Sequence, residues 1–149
     1  MNTKLTIGRI DKVDFPEFFL EEIEVKIDSG AYTSSIHCSD IKEVRNDKES
    51  CLKFKLLDPN HEAYNNKEFS TKKYSSKLVK SSNGIAEERF MILTEIIIFN
   101  QSFSIHLTLS ERKGMKFPVL LGRKFLNKKF VIDTTKTNLS HKLKHKQIE

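Results

Sequence analysis

Hydrophobic residues recur at every second position along most of this chain, the period of a strand with one buried face. Ile23, Val25 and Ile27 alternate with Glu22, Glu24 and Lys26, predicting a half-buried strand that ends at Asp28. Leu52, Phe54 and Leu56 alternate with Lys53 and Lys55, and Asp58-Pro59-Asn60 then turns the chain. Two hairpins are expected after that. Ser82-Asn83-Gly84 separates residues 74–81 from 85–93, and Asn100-Gln101 separates residues 95–99 from 102–109. The unbroken apolar run Phe117-Pro118-Val119-Leu120-Leu121 predicts a strand buried on both faces. Residues 123–127, directly after Gly122, predict one short helix, and Phe130-Val131-Ile132 a closing strand. Residues 60–73 are too polar for core and read as a loop or ragged hairpin. The class is therefore all-β, a small closed or sandwich-like barrel.

At 149 residues the chain is long enough for one core and one domain. Residues 1–135 are expected to form that domain. Residues 136–149, where Leu139, Leu143 and Ile148 are thinly spread among Lys and His, read as either a frayed helix or a disordered segment, and a basic, mobile tail is the expectation. The net charge of +6 and pI near 9.3 suit an acidic partner. Nothing resembles an Arg-rich reading helix or an aromatic-lined RNA surface, so nucleic acid is not the expected partner. No apolar run approaches the ~20 residues of a membrane span, and residues 1–5 lack the apolar stretch of a secretory signal. Two cysteines, Cys38 and Cys51, are too few for a disulfide framework. A cytoplasmic protein with free thiols and no membrane partner is the expectation.

The chemistry centres on Asp28-Ser29-Gly30, a carboxylate on a tight turn at a strand end. Gly30 lets another backbone approach closely, and Ser29 is placed to hydrogen-bond to the equivalent loop of a second copy. Two carboxylates a few ångströms apart share one proton. The ionised one then takes a proton from water while the protonated one polarises a carbonyl. Asp-Ser-Gly alone is common in turns. Leu120-Leu121-Gly122-Arg123 adds the second part, an aliphatic-aliphatic-Gly stretch late in the chain that would support the Asp loop. Asp133-Thr134-Thr135 lacks the glycine of a second such loop and reads as a strand-terminating turn.

With Asp28-Ser29-Gly30-Ala31 early and Leu120-Leu121-Gly122-Arg123 late, the chain resembles the retropepsins, half-sized aspartic proteases that act as homodimers. It is closest to a bacterial branch described as ATP-dependent zinc proteases and as RimK-associated. The carrying residues are Ile7-Gly8-Arg9, Lys26-Ile27-Asp28-Ser29-Gly30-Ala31 with Thr33-Ser34, Ser81-Ser82-Asn83-Gly84 with Glu88-Arg89, the run from Arg112 through Arg123, and Val131-Ile132-Asp133. The resemblance implies an acid-protease barrel with one Asp28 from each of two copies and a protein or peptide substrate. It also implies a functional link to an ATP-grasp ligase that adds glutamates. Ser29, Gly30, Ala31, Leu121, Gly122 and Arg123 would support the loop. Ser82, Asn83 and Gly84 are either the tip of a flap over substrate or a plain turn, and Arg89 is either substrate-facing or structural. Ala31 offers no hydroxyl to the Asp28 carboxylate, which predicts a pH optimum nearer neutral than in gastric enzymes. Most relatives in the branch carry Arg where this chain has Tyr32, so a contact to an anionic substrate is missing. The family's zinc and ATP find no motif here. His37, His61, His106, His141 and His145 look scattered, no His-Glu-x-x-His occurs, and there is no phosphate-binding Gly-rich loop. No cofactor or metal is therefore expected. The competing reading is a non-catalytic barrel that binds a peptide or an RNA-bound partner.

Overall fold

The computed structural model of the chain describes residues 3–80, 83–111 and 116–146. Its strands are β1 (Leu5–Ile7), β2 (Ile10–Phe15), β3 (Leu20–Ile27), β4 (Ser34–Arg45), β5 (Ser50–Leu56), β6 (Glu68–Thr71), β7 (Tyr74–Lys80), β8 (Ala86–Ile98), β9 (Gln101–Ser110), β10 (Val119–Leu121) and β11 (Phe130–Ile132). The helices are α1 (Arg123–Leu126) and α2 (Leu139–Lys146). Strands β3, β2, β8, β9, β4 and β10 pair in that order, and β10 pairs back onto β3. The ring is a closed six-stranded barrel, as expected for this class, and closure leaves these strands few unpaired edges. β4 makes closure possible, because its first residues pair with β9 on one side and β10 on the other. Beyond Cys38 it pairs with β5, and β6 extends that sheet. β1 and β11 form a separate parallel pair.

The predicted alternation is realised where one face is buried. Leu20, Ile23, Val25 and Ile27 point inward from β3, and Leu52, Phe54 and Leu56 from β5. A bulge falls between these pairings, where Val13 opposes Ile23 but Phe15 opposes Leu20. Glu22 sits on this bulge with φ +52, and its amide donates to Asp14 Oδ1 at 2.7 Å.

Three expectations change, and one open alternative is decided. The segment read as a loop or ragged hairpin is the hairpin: β6 pairs antiparallel with β5, because Phe69 is buried against Phe18 and Phe54, with ring centroids 5.1 and 6.2 Å away. One large aromatic in a polar stretch is enough to anchor a short strand. The β8–β9 turn is Phe99-Asn100 rather than Asn100-Gln101, since both residues have positive φ (52° and 56°) and Ile98 opposes Gln101. That is the double left-handed turn that matches strand twist, and burial of Phe99 pulls the turn one residue earlier. Strand β10 is only Val119–Leu121; Phe117 and Pro118 are half-buried.

The largest correction concerns residues 136–149. In place of a mobile tail, residues 139–146 are helix α2, docked on β2 and β1. Asp11, fully buried on β2, accepts hydrogen bonds from the Ser140 and His141 amides at 2.8 and 3.0 Å. These are orphan donors of the first helical turn, so a carboxylate far away in sequence caps the helix. Ser140 Oγ in turn accepts from the Phe99 amide at 2.7 Å, tying α2 to the β8–β9 turn. Gly8 explains the close crossing just before α2: a Cβ there would lie 2.2 Å from the Lys136 carbonyl oxygen. Among the described residues no helix is long and apolar enough to cross a membrane.

Candidate active site

β3 delivers Asp28 to the end of the barrel, half-buried, with Ser29 and Gly30 exposed beyond it. β10 runs parallel beside β3, so Leu121 reaches the same level: it pairs with Ile27, and the Asp28 amide donates to the Leu121 carbonyl at 2.9 Å. The Gly30 amide donates to Asp28 Oδ1 at 3.0 Å and the Ala31 amide to the Asp28 carbonyl at 3.2 Å. This closes a tight turn around the carboxylate. Apart from its chain neighbours, Gly30 has only Asp28 Oδ1 near the position of a Cβ, at 3.3 Å. Among the described residues nothing else lies within 4 Å of that position.

Gly122 is the opposite case, buried and enclosed. A Cβ would meet the Thr33 and Tyr32 carbonyl oxygens at 2.6 and 2.7 Å. Only glycine lets residues 31–33 lie flat across the start of α1. There the Arg123 amide donates to the Ala31 carbonyl (2.9 Å) and the Lys124 amide to the Tyr32 carbonyl (2.8 Å). Ser34 completes the clamp from the far side: its buried hydroxyl oxygen accepts from the Gly122 amide at 3.0 Å. Ser34 had no role assigned from sequence, and only its place in the Thr33-Ser34 pair marked it.

Arg123 braces the turn through the backbone. Its Nη1 donates to the Ser29 carbonyl at 2.9 Å, and its guanidinium carbon lies 5.8 Å from the Tyr32 ring centroid. Among the described residues no carboxylate pairs with Arg123. Tyr32 itself is 55% exposed. Asp28, Ser29, Gly30, Ala31, Tyr32, Leu121, Gly122 and Arg123 thus form one connected unit.

The hairpin residues lie elsewhere. Asn83 and Gly84 are at the tip joining β7 and β8, with Gly84 at φ +83. Ser82 and residues 112–115 of the late motif lie outside the described residues. Leu78 and Ile85 on this hairpin are 71% and 65% exposed, apolar surface that a plain solvent turn does not require. Arg89 is exposed on β8, with Nη2 3.9 Å from Glu87 Oε2. Asp133 is a turn residue: the Thr135 amide and hydroxyl donate to its Oδ1 at 3.0 and 2.6 Å, and these bonds hold its carboxyl below the usual range. His37 is buried in β4, its Nε2 3.7 Å from Asp58. The histidines are not all scattered, however. Among the described residues one group of His, Cys, Asp or Glu has metal-compatible spacing: Glu22, His141 and His145, on β3 and α2.

Residues 6–143 match the RimB-like family, described as the retropepsin-like aspartic endopeptidase RimB. Proteins named probable alpha-L-glutamate ligase are similar over most of this chain. The one from Shewanella pealeana is 30% identical over 140 residues, covering 91% of this chain and 30% of the relative. The one from Desulfotalea psychrophila is 32% identical over 130 residues, covering 87% and 28%. The chain therefore spans about 30% of the length of these relatives. The crystal structure of a Legionella pneumophila protein of unknown function superposes with a TM-score of 0.68 at 21% identity, covering 93% of this chain and 99% of that one. At that identity the likeness concerns the fold.

Proposed function

This chain belongs to the RimB-like family of retropepsin-like aspartic endopeptidases, and from that premise we propose that it is a peptidase whose site forms from two copies, one Asp28 from each. The observation that carries this reading is the clamped Asp28 turn. One chain presents one carboxylate on a rigid, partly exposed loop, and among the described residues beyond its chain neighbours only Asp28 Oδ1 lies within 4 Å of the Gly30 Cβ position, where a second loop would approach. In the pair, one carboxylate is ionised and the other protonated. The ionised Asp28 takes a proton from water as the water oxygen attacks the amide carbon. The protonated Asp28 gives its proton to the carbonyl oxygen, forming a neutral gem-diol. Collapse returns one diol proton to the Asp28 that had given its proton to the carbonyl oxygen, and the C–N bond breaks as the amine nitrogen takes the proton that the other Asp28 had removed from water. The Gly30 amide occupies Oδ1, which leaves the second oxygen for water and proton transfer.

The proposed substrate is a glutamate tail on a protein. The longer relatives are named as probable alpha-L-glutamate ligases, and a domain joined to a glutamate-ligating activity is suited to removing glutamate again. The net charge of +6 attracts a polyanionic tail to the chain as a whole, while Tyr32 leaves the Asp28 loop without the arginine that would contact it there. The test is a peptide ending in several glutamates, incubated with the full chain and with Asp28→Asn, while sedimentation reports oligomeric state. We expect glutamate release by a dimer and none by the variant. Hydrolysis by a strict monomer, or undiminished hydrolysis by Asp28→Asn, would refute the paired-carboxylate mechanism.

A further inference from the structure

The group formed by Glu22, His141 and His145 is not used by the chemistry at Asp28. His141 and His145 are one turn apart on α2, so their rings lie on one face, with centroids 4.4 Å apart. Glu22 faces them from the β3 bulge. Its Oε1 is 2.5 Å from His145 Nε2 and 3.8 Å from His141 Nδ1. We propose that these three side chains bind a divalent transition metal of the zinc class, which staples α2 to β3.

Three observations carry this. First, the donor atoms all lie within 4.8 Å of one another. Zinc with bonds of about 2.0–2.1 Å to imidazole and carboxylate holds neighbouring ligand atoms roughly 3.3 Å apart. The separations of 2.5 and 3.8 Å bracket that value, so sub-ångström side-chain shifts suffice. Second, His141 Nδ1 is buried and makes no hydrogen bond among the described residues, although it faces the Glu22 carboxylate. A metal between them would satisfy it. Third, an unusual backbone directs the Glu22 side chain: Glu22 has φ +52, a left-handed conformation unfavourable for Glu, fixed by the hydrogen bond its amide donates to Asp14 Oδ1. Two imidazoles and one carboxylate are a common zinc donor set, and the partial exposure of the group leaves a fourth position for water.

Lys144 is the opposing charge. Its Nζ lies 3.6 Å from Glu22 Oε1, but 3.0 Å from Asp14 Oδ2, which neutralises it. Asp14, Glu22 and Lys144 together leave one net negative charge, which favours a cation. The site is remote from Asp28. Five residues of β3, Ile23 to Ile27, separate Glu22 from Asp28, roughly 15–20 Å of strand, so a metal here acts on stability rather than on the hydrolysed bond.

The test titrates Zn(II) alone into the full chain by calorimetry and follows the melting temperature. One site with a micromolar dissociation constant is expected, with a rise in melting temperature that follows saturation. His141→Ala/His145→Ala should weaken binding at least about tenfold, and Glu22→Gln should weaken it with the shape preserved. Circular dichroism checks that the variants stay folded. Co(II) should give tetrahedral d–d bands without the sulfur charge-transfer band of a cysteine site. Asp28→Asn should leave Zn(II) affinity unchanged. The proposal fails if Zn(II) does not saturate the chain by millimolar concentration, if the double variant binds as tightly as the parent, if a sulfur band appears, or if Asp28→Asn abolishes binding.

Discussion

Replacing Gly122 with Ala tests whether the Asp28 turn is positioned by close backbone contact. The local conformation, φ −98 and ψ 178, suits alanine, so backbone strain adds nothing. The cost is steric. The new Cβ would lie 2.6 Å from the Thr33 carbonyl oxygen, 2.7 Å from that of Tyr32 and 2.8 Å from the Thr33 carbonyl carbon, against an ordinary contact of 3.4 Å. All three are backbone atoms, so no side chain can swing away. Residues 31–33 or α1 must retreat by about 0.8 Å, which stretches the Arg123 and Lys124 amide bonds beyond hydrogen-bonding range.

The magnitude follows from these parts. Overpacking costs about 1–3 kcal/mol, two partly exposed hydrogen bonds about 1 kcal/mol each, and alanine is a poorer N-cap than glycine by a few tenths or more. Alanine's smaller unfolded ensemble returns about 0.4–1 kcal/mol. The net is a destabilisation of about 2–5 kcal/mol, or about 5–20 °C in melting temperature for a domain of this size. Gly84→Ala is the control. Among the described residues nothing lies within 4 Å of its Cβ position, so the strain of φ +83 is the cost, about 1–2 kcal/mol. Calorimetry of both variants, with amide spectra of residues 28–34, decides the matter. A Gly122→Ala melt within about 2 °C of the parent, with loop amides unshifted, would show that the clamp does not position Asp28.

Two further outcomes rest on buried groups. Asp11→Ala strands the buried Ser140 amide and exposes that of His141, costing about 2–4 kcal/mol. Hydrogen exchange should show α2 losing protection before β8 and β9, with Asp11→Asn intermediate, and unchanged α2 protection would count against the cap. Burial, with the Glu111 charge second, pushes the Cys38 thiol from 9.0 to about 12, so the folded chain holds this proton more tightly than the unfolded chain does. Its contribution to stability is complete below pH 9 and is lost as pH rises toward about 12. Iodoacetamide at pH 8 followed by mass spectrometry should label the half-buried Cys51 and spare Cys38, and equal labelling would contradict the burial.

The barrel was legible because its information is local. Alternation in β3 and β5 reports which face is buried, and the turn residues between strands report where the chain reverses. The errors fall where a partner distant in sequence decides. Residues 136–146 carry too few apolar side chains to form a helix alone, and α2 forms because Asp11, about 130 positions earlier, supplies the acceptor for its first amides. Phe69 looks like an exception in a polar loop until Phe18 and Phe54 enclose it.

The same distinction separates the parts of the candidate sites. Asp28-Ser29-Gly30 and Gly122 are readable because a tight turn and a backbone crossing each demand a residue type at a fixed place. Ser34 is not, since any serine on a strand looks alike until its hydroxyl is seen to meet the Gly122 amide. His141 and His145 carry helical spacing, but that spacing means nothing in a segment read as tail. Once Asp11 folds α2, the pair shares one face of the helix beside β3, and the β3 bulge places Glu22 against it. Capping and metal binding are therefore coupled: Asp11→Ala should weaken Zn(II) binding along with α2, because the two imidazoles share a face only while the helix exists. Zn(II) affinity that survives the loss of α2 protection in that variant would place the metal elsewhere.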